Sequence, residues 1–186
     1  MRIIAGDMRG RRLVAPAGTD TRPTSDRVRE SMFAILGDIT DREVLDLFAG
    51  SGALAMEALS RGARRALCID TAPGALQSIR TNAALLEDGE RLRVRRADWR
   101  RALVDEAAAG RRYGLCLLDP PYSLLPRITG DLAGLLVPVL EPGATIVVEG
   151  AASGGPVEIP GLSVASRVDR TYGSTSITII HTDVSK

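Results

Sequence analysis

Residues 43–63 have the sequence "EVLDLFAGSGALAMEALSRGA", a short apolar run followed by a glycine-rich turn and a helical pattern. The run 43–48 predicts a buried strand, and the segment after Ala49 predicts a helix that ends at Gly62. Gly50 and Gly52 let the backbone turn tightly and come close to a ligand. A strand that enters a helix in this way is the opening unit of an α/β sheet, whose ligands bind beyond the carboxyl ends of the strands.

The same alternation continues along the chain. Four more strands are predicted, at residues 64–70, 91–98, 113–119 and 144–150. Helices are predicted between them, the last being a stretch at 125–140 that Gly130, Gly134 and Pro138 interrupt. The tail predicts two strands that meet near Tyr172 and Gly173 in an antiparallel edge hairpin. Strands and helices at this spacing predict an α/β fold with a mostly parallel, doubly wound sheet.

A small β-hairpin is predicted at the N-terminus from "RIIAGDMRGRRLVAP", residues 2–16. Its first twelve residues hold four arginines and one aspartate, a net charge of +3. The arginine guanidinium can donate two parallel hydrogen bonds to a phosphate group, so this hairpin is a candidate for binding nucleic acid. We therefore divide the chain into an N-terminal β-hairpin extension (1–20) and a main domain (21–186). Deleting residues 2–15 is expected to weaken substrate binding far more than cofactor binding.

The composition is ordinary for a globular protein, with 45% apolar and 25% charged residues. No window is long and apolar enough for a membrane helix, and the N-terminus lacks the apolar core of a secretory signal. We expect a cytoplasmic protein with no membrane partner. Cys68 and Cys116 lie in apolar runs without metal-ligand spacing, so we expect structural thiols and no metal.

Acidic residues follow three of the predicted strands and lie inside a fourth. Asp70, Asp98 and Asp119 come at strand ends, where they should converge with the glycine-rich loop on one crevice. The loop fits G-x-G-x-x-A, which is a weak signal shared with dinucleotide enzymes. Asp46, however, lies inside its strand, where a carboxylate suits an ammonium group better than a pyrophosphate. Asp70 can take ribose hydroxyls, and Asp98 with Trp99 suits an adenine. A ligand with these three parts is S-adenosylmethionine.

The strand at 113–119 ends in an unusual corner, "DPPY", formed by Asp119, Pro120, Pro121 and Tyr122. Proline fixes φ and removes a backbone donor, so two in succession make a stiff, extended corner. A hydrogen-bond acceptor, Asp119, and an aromatic ring, Tyr122, flank this corner. The combination therefore indicates a functional site more strongly than a simple end of a strand would.

These motifs resemble those of class I S-adenosylmethionine-dependent methyltransferases. "VLDLFAGSG" is similar to their first motif, and "DPPY" to the motif of members that methylate planar exocyclic nitrogens. The N-terminal hairpin, "RPTSDRVRESMF" and the terminal "YG" strand extend the resemblance over nearly the whole chain. In that order they resemble the ribosomal small-subunit RNA methyltransferase D family, guanine-N2 enzymes of bacterial 16S rRNA. The resemblance implies a Rossmann-like class I methyltransferase fold.

The resemblance also implies roles for individual residues. The catalytic residues would be Asp119, Pro120, Pro121 and Tyr122. The S-adenosylmethionine site would contain Asp46, Phe48, Gly50, Gly52, Asp70, Asp98, Trp99 and Thr24. The RNA-binding residues would be Arg9, Arg11, Arg12, Arg22 and Arg27.

The expected reaction is methyl transfer to N2 of a guanine, conventionally numbered 966, in 16S rRNA of the assembled 30S subunit. We expect a monomer that needs no metal. "DPPY" also serves N6-adenine, N4-cytosine and glutamine-N5 methyltransferases, so the motif alone does not name the acceptor. A nicotinamide-dependent oxidoreductase and a non-catalytic Rossmann-type RNA-binding module are alternatives of other classes.

Overall fold

The computed structural model of the chain describes residues 1–16 and 25–183. The helices are α1 (Asp26–Leu36), α2 (Ala53–Ser60), α3 (Pro73–Ala83), α4 (Trp99–Ala108) and α5 (Leu125–Leu136). The strands are β1 (Glu43–Leu47), β2 (Arg65–Asp70), β3 (Leu92–Arg96), β4 (Tyr113–Leu118), β5 (Leu140–Ala151), β6 (Val164–Tyr172) and β7 (Thr175–Thr182). Short 3-10 turns lie at Gly89–Arg91, Val137–Val139 and Ala152–Gly154.

All seven strands join one sheet in the order β3-β2-β1-β4-β5-β7-β6. Strands β1 to β5 pair in parallel, whereas β7 pairs antiparallel with both β5 and β6. The predicted doubly wound sheet and its antiparallel edge hairpin are therefore confirmed. The strand order reverses between β1 and β4, and this switch point is where an open α/β sheet forms its ligand crevice.

The sheet is buried on both faces, which explains the nearly continuous apolar runs of its central strands. One face packs its side chains, such as Val44 and Leu115, against α1, α2 and α3. The other face packs Leu45 and Cys116 against α4 and α5. Both cysteines are free and buried, as the sequence predicts.

The N-terminal segment is a short hairpin that packs on the protein as an arm. Arg2 and Arg12 form an antiparallel bridge, and backbone hydrogen bonds join Ile3 to Gly10 and Arg11 and join Met1 to Leu13, although no extended strand forms within residues 1–16. The side chains of Ile3, Met8 and Leu13 are 1–6% exposed and belong to the same core cluster as α2. Burying these side chains favours an arm laid on the helix over a free-standing ribbon, because an isolated two-stranded hairpin is marginal in water.

Glu57 of α2 anchors this arm. Its side chain is fully buried, and its carboxylate accepts the backbone N–H groups of Ile4 at 2.7 Å and Ala5 at 3.1 Å. Arg61 forms an ion pair with the same carboxylate at 2.7 Å. A buried charge needs such partners, so Glu57 ties the arm to the helix that follows the glycine-rich loop.

Two smaller predictions need correction. Helix α5 runs without interruption through Gly130 and Gly134, because its apolar residues Ile128, Leu132 and Leu136 are buried against the sheet. Tertiary packing of this face outweighs the weak helix propensity of glycine. Strand β5 begins at Leu140, four residues before the apolar run that predicts it. Among the described residues, no helix is long and apolar enough to cross a membrane.

Candidate active site

The loop after β1 lies at the switch point and has a strained backbone. Phe48 has a positive φ of 64°, a conformation that is rare for a residue with a side chain. Gly50 and Gly52 also have positive φ, at 55° and 74°. A Cβ at Gly52 would lie 3.2 Å from Ile79 of α3, whereas a Cβ at Gly50 would meet nothing within 4 Å. Gly52 therefore packs inward, while the backbone at Gly50 borders open space, as a ligand cradle requires.

Asp70, at the end of β2, holds this loop in place. Its Oδ2 atom accepts the N–H of Gly50 at 2.9 Å, and its Oδ1 atom accepts the N–H of Ala72 at 2.8 Å. A carboxylate offers about four acceptor positions, so two of them stay available for hydroxyl groups of a ligand.

Asp46 is buried beneath the same loop, with a side chain only 1% exposed. Its Oδ2 atom accepts the N–H of Ala55 at 3.2 Å, and its Oδ1 atom has no hydrogen-bond partner among the described residues. Burial is the main cause that raises the pKa of Asp46 to about 8; the Ala55 N–H opposes the rise, and the negative charges of Asp119 and Asp70 add to it. The carboxylates of Asp46, Asp70 and Asp119, which the sequence places at neighbouring strands, thus interact electrostatically. Such an interaction is expected of groups that share one crevice. An unpartnered buried oxygen fits a ligand that brings a cationic donor.

This burial predicts a pH dependence of stability that Asp46→Asn should remove. Because the pKa of Asp46 is raised when the protein folds, its contribution is intact near pH 4 and is lost as the pH rises towards 8. We expect the free energy of unfolding of the wild type to fall relative to the variant by about 1 kcal/mol per pH unit in this window. Urea unfolding at pH 5.5, 6.5 and 7.5 measures the difference. A difference that stays constant would mean that Asp46 is already ionised in the folded protein.

Asp98 and Trp99 begin α4, beside the crevice. The Asp98 side chain caps the helix by accepting the N–H of Arg100 at 2.9 Å. The Trp99 side chain is 4% exposed and packs in the core, with its ring centroid 6.4 Å from that of Phe48. The guanidinium of Arg100 lies 4.4 Å from the Trp99 centroid. Trp99 is therefore first a core residue, and its contact with an adenine stays a prediction.

The "DPPY" corner follows β4 directly across the switch point. The Asp119 N–H points to the Leu47 carbonyl at 3.5 Å, which places the corner beside the end of β1. Pro120 is buried, while Pro121 and Tyr122 are exposed, Tyr122 at 41%. The ring of Tyr122 can therefore meet a ligand from solvent.

Two residues that the sequence analysis did not identify restrain Tyr122. Its hydroxyl donates to Glu149 Oε1 at 3.3 Å and lies 3.2 Å from Thr175 Oγ1. Partial burial raises the pKa of Tyr122, so the hydroxyl stays protonated. Glu149 lies near the carboxyl end of β5, where the strand-end rule that found Asp70 and Asp119 also applies. Thr175 could not be found in this way, because it begins an antiparallel strand.

The tip of the C-terminal hairpin contacts both the "DPPY" corner and α1. Tyr172, the last residue of β6, hydrogen-bonds through its hydroxyl to Ser31 of α1. The hairpin therefore joins the "DPPY" corner, through Thr175, to the helix that follows "TRPTS" in the sequence.

The structure describes four of the five predicted RNA-binding arginines. Arg9, Arg11, Arg12 and Arg27 are exposed, and Arg11 donates to the Leu85 carbonyl. Thr24 and Arg22 lie outside the described residues. Within the described ranges, no three His, Cys, Asp or Glu side chains form a group that could hold a metal ion.

Comparison with known proteins agrees with this geometry. The family model "Conserved hypothetical protein 95" matches residues 1–181. YlbH of Bacillus subtilis, named as a candidate rRNA methyltransferase, is 47% identical over 125 residues, which cover 66% of this chain and 67% of that protein. Ribosomal RNA small subunit methyltransferase D of Escherichia coli is 42% identical over 123 residues, which cover 66% of this chain and 60% of that protein. The chain thus matches about two thirds or less of the length of these relatives.

A solved structure extends the match to the full length. The candidate methyltransferase yhhF from Escherichia coli superposes with a TM-score of 0.81 at 34% identity, covering 100% of this chain and 99% of that one. The chain therefore belongs to the Conserved hypothetical protein 95 family and groups with the ribosomal RNA small subunit methyltransferase D proteins.

Proposed function

We propose that this protein transfers a methyl group from S-adenosylmethionine to N2 of a guanine in 16S rRNA, in the assembled 30S subunit. The observation that carries the proposal is the meeting of three groups at the switch point. They are the open loop at Gly50, the unpartnered buried oxygen of Asp46 and the rigid acceptor corner at Asp119. The names of the relatives support rRNA as the substrate.

The residues present fit the cofactor. Asp46 would pair with its ammonium group, and the backbone at Gly50 would lie along its methionine part. Asp70 would accept its ribose hydroxyls, and Asp98 would contact its adenine. When bound, the cofactor supplies a methyl group on a positively charged sulfur. No metal has a part in this reaction.

The "DPPY" corner would prepare the acceptor. An exocyclic amine is a poor nucleophile, because its lone pair is delocalised into the ring. The Asp119 carboxylate and the Pro120 carbonyl would accept its two N–H groups and turn the lone pair towards the methyl group. Because Pro120 and Pro121 fix the backbone, this geometry exists before the substrate binds. Asp119 would stabilise the positive charge that develops on the nitrogen and then take its proton. Tyr122 would stack on the extruded base.

The choice of guanine N2, and of position 966, rests on the resemblance to the small-subunit methyltransferase D family. N6-adenine and N4-cytosine remain alternative acceptors, since the same corner serves them.

The function is tested with tritiated S-adenosylmethionine and three acceptors: unmethylated 30S subunits, deproteinised 16S rRNA and duplex DNA. We expect label in both RNA substrates, strongest in 30S subunits, and none in DNA. S-adenosylhomocysteine should raise the melting temperature and NAD should not, because a ligand stabilises only the fold that binds it. Label in DNA alone, or stabilisation by NAD alone, would refute the proposal.

Thr175→Val tests the restraint on Tyr122. The variant keeps the shape of the side chain but removes one of the two polar contacts of the Tyr122 hydroxyl. We expect the KM for 30S subunits to rise about threefold to tenfold, in line with about 1 kcal/mol for a lost hydrogen bond. The affinity for S-adenosylhomocysteine should stay unchanged. If cofactor affinity falls as much as acceptor binding, Thr175 supports the whole crevice and not Tyr122 alone.

A further inference from the structure

We propose that a basic cleft at the amino ends of the strands, opposite the catalytic crevice, binds backbone phosphates of a second RNA segment. This inference rests on the proposed function, because it assumes an RNA substrate. The cleft has a volume of about 300 Å³, and its polar lining comprises Glu43, Arg65, Arg93, Arg111, Arg112 and Tyr113. We call it the amino-edge cleft.

The register of the sheet brings these residues together. Glu43 pairs with Arg65, and Leu67 pairs with Arg93, at the amino ends of β1, β2 and β3. Side chains of paired residues point to the same face, and residues two apart on a strand do so too. Glu43, Arg65 and Arg93 therefore share one face. The catalytic crevice lies at the other end of the same strands, about 15–20 Å away for strands of five or six residues.

Two of the four arginines are held by the protein. Arg111 donates through Nη1 to both carboxylate oxygens of Glu106, at 2.8 and 2.9 Å, and Arg112 donates to the Pro138 carbonyl. The other two, Arg65 and Arg93, are exposed, and their guanidinium groups make no hydrogen bond or ion pair within residues 1–16 and 25–183. Arg93 does interact electrostatically with the buried Glu106. The cleft thus offers two guanidinium groups whose N–H donors make no hydrogen bond with the described residues.

The neighbouring acidic groups do not neutralise the cleft. Glu43 is shared with Arg64, which lies 3.8 Å away outside the lining. Glu106 is buried behind the cleft and is shared among Arg95, Arg111 and Tyr113. Glu106 therefore offsets Arg111, and Glu43 is shared between Arg64 and the cleft, so that two carboxylates face four guanidinium groups.

The chemistry of the lining favours phosphate over bases. A guanidinium fork matches phosphate oxygens with two parallel hydrogen bonds. Base recognition in RNA usually needs an exposed aromatic ring. The one aromatic residue of the lining, Tyr113, is 3% exposed and donates its hydroxyl to Glu106 at 2.6 Å. The cleft is therefore suited to positioning RNA through its backbone, without reading its sequence.

This position has a consequence for the substrate. RNA that delivers its base to the Asp119 end of the sheet would have to pass around the domain to reach the opposite ends of the strands, about 15–20 Å away. The amino-edge cleft therefore engages a different RNA segment, which a folded subunit presents at a fixed distance. This explains in physical terms why 30S subunits should be better substrates than a short RNA.

The test compares Arg65→Ser/Arg93→Ser with a matched control, Arg80→Ser/Arg101→Ser, which removes two exposed arginines from α3 and α4. The dissociation constant for 30S subunits is measured by filter binding with S-adenosylhomocysteine present, at several KCl concentrations. We expect the cleft variant to bind about tenfold more weakly than the control. The slope of log affinity against log salt should fall by about 1.5, the value for two lost phosphate contacts.

The outcomes separate this inference from the proposed function. Both variants should keep the wild-type melting temperature and affinity for S-adenosylhomocysteine, which shows that they fold. Equal 30S binding and equal salt slopes for the two variants would overturn the phosphate site while leaving methyl transfer intact. Absence of methyl transfer to any RNA by the wild type would instead overturn the proposed function.

Discussion

Asp119→Ala should lower the rate of methyl transfer by about 10²–10³-fold, the loss expected when one preorganised contact to a transition state is removed. The affinity for S-adenosylhomocysteine should stay within about twofold of the wild type. The reason is the position of Asp119. It follows β4 on the acceptor side of the switch point, whereas the residues that fit the cofactor lie in β1, in its loop and at the ends of β2 and β3.

Asp119→Asn is the matched control for this variant. Asparagine keeps the size of the side chain and one acceptor oxygen, but it lacks the charge that stabilises a positive nitrogen and accepts its proton. We expect a rate between those of the wild type and Asp119→Ala. Single-turnover methyl transfer and S-adenosylhomocysteine titration separate the two effects. If Asp119→Ala lost cofactor affinity in parallel with its rate, Asp119 would belong to the cofactor site and the proposed acceptor role would be wrong.

Gly6→Ala should destabilise the fold by more than about 3 kcal/mol, in the range of severe overpacking. A Cβ at Gly6 would lie 1.7 Å from the backbone oxygen of Ser60 in α2. The Cβ would meet a backbone atom, and the position of a Cβ is fixed by its own backbone, so no side-chain rotation relieves the contact. The same region holds the arm to α2 through Asp7 N–H, which donates to the Ser60 carbonyl at 2.9 Å.

Gly10→Ala is the control, because it isolates the effect of backbone conformation. Gly10 has nearly the same φ as Gly6, 83° against 86°, but a Cβ there would meet nothing within 4 Å. We expect a loss of only about 1 kcal/mol from the left-handed conformation. Urea unfolding of both variants gives the comparison. Equal losses would contradict the close packing of the arm on α2.

This packing also revises the expectation for deletion of residues 2–15. The sequence suggests a basic hairpin outside the pocket, whose loss would weaken substrate binding far more than cofactor binding. The structure buries Ile3, Met8 and Leu13 in the core and anchors the backbone on Glu57. The deletion should therefore weaken the fold, cofactor binding and substrate binding together. Single substitutions of the exposed Arg9 and Arg12 are the better test of RNA contact.

The parts of the fold that could be predicted are those set by local pattern. Apolar runs, glycine turns and acidic strand ends are repeated along β1 to β4, and parallel pairing then brings Asp46, Asp70 and Asp119 to one crevice. The sequence shows these residues because each of them interrupts an apolar pattern.

The parts that could not be predicted depend on contacts between distant segments. The local sequence gives no sign that Glu57 is buried, because its burial depends on the N-terminal arm, which packs over it. Trp99 looks like a stacking platform, yet α4 turns its ring into the core beside Phe48. Arg65 and Arg93 are far apart in sequence and become neighbours only through the register of β2 and β3.

The most direct test of the proposed reaction is nucleoside analysis of 16S rRNA after methylation of unmethylated 30S subunits by the purified protein. The arrangement of Asp119 to Tyr122, together with the family resemblance, predicts that the added methyl group appears as N2-methylguanosine at a single position. Methyl groups found on adenine, on cytosine or on a ring nitrogen of guanine would contradict the proposed acceptor. A wild-type protein that adds no methyl group to 30S subunits would contradict the account as a whole.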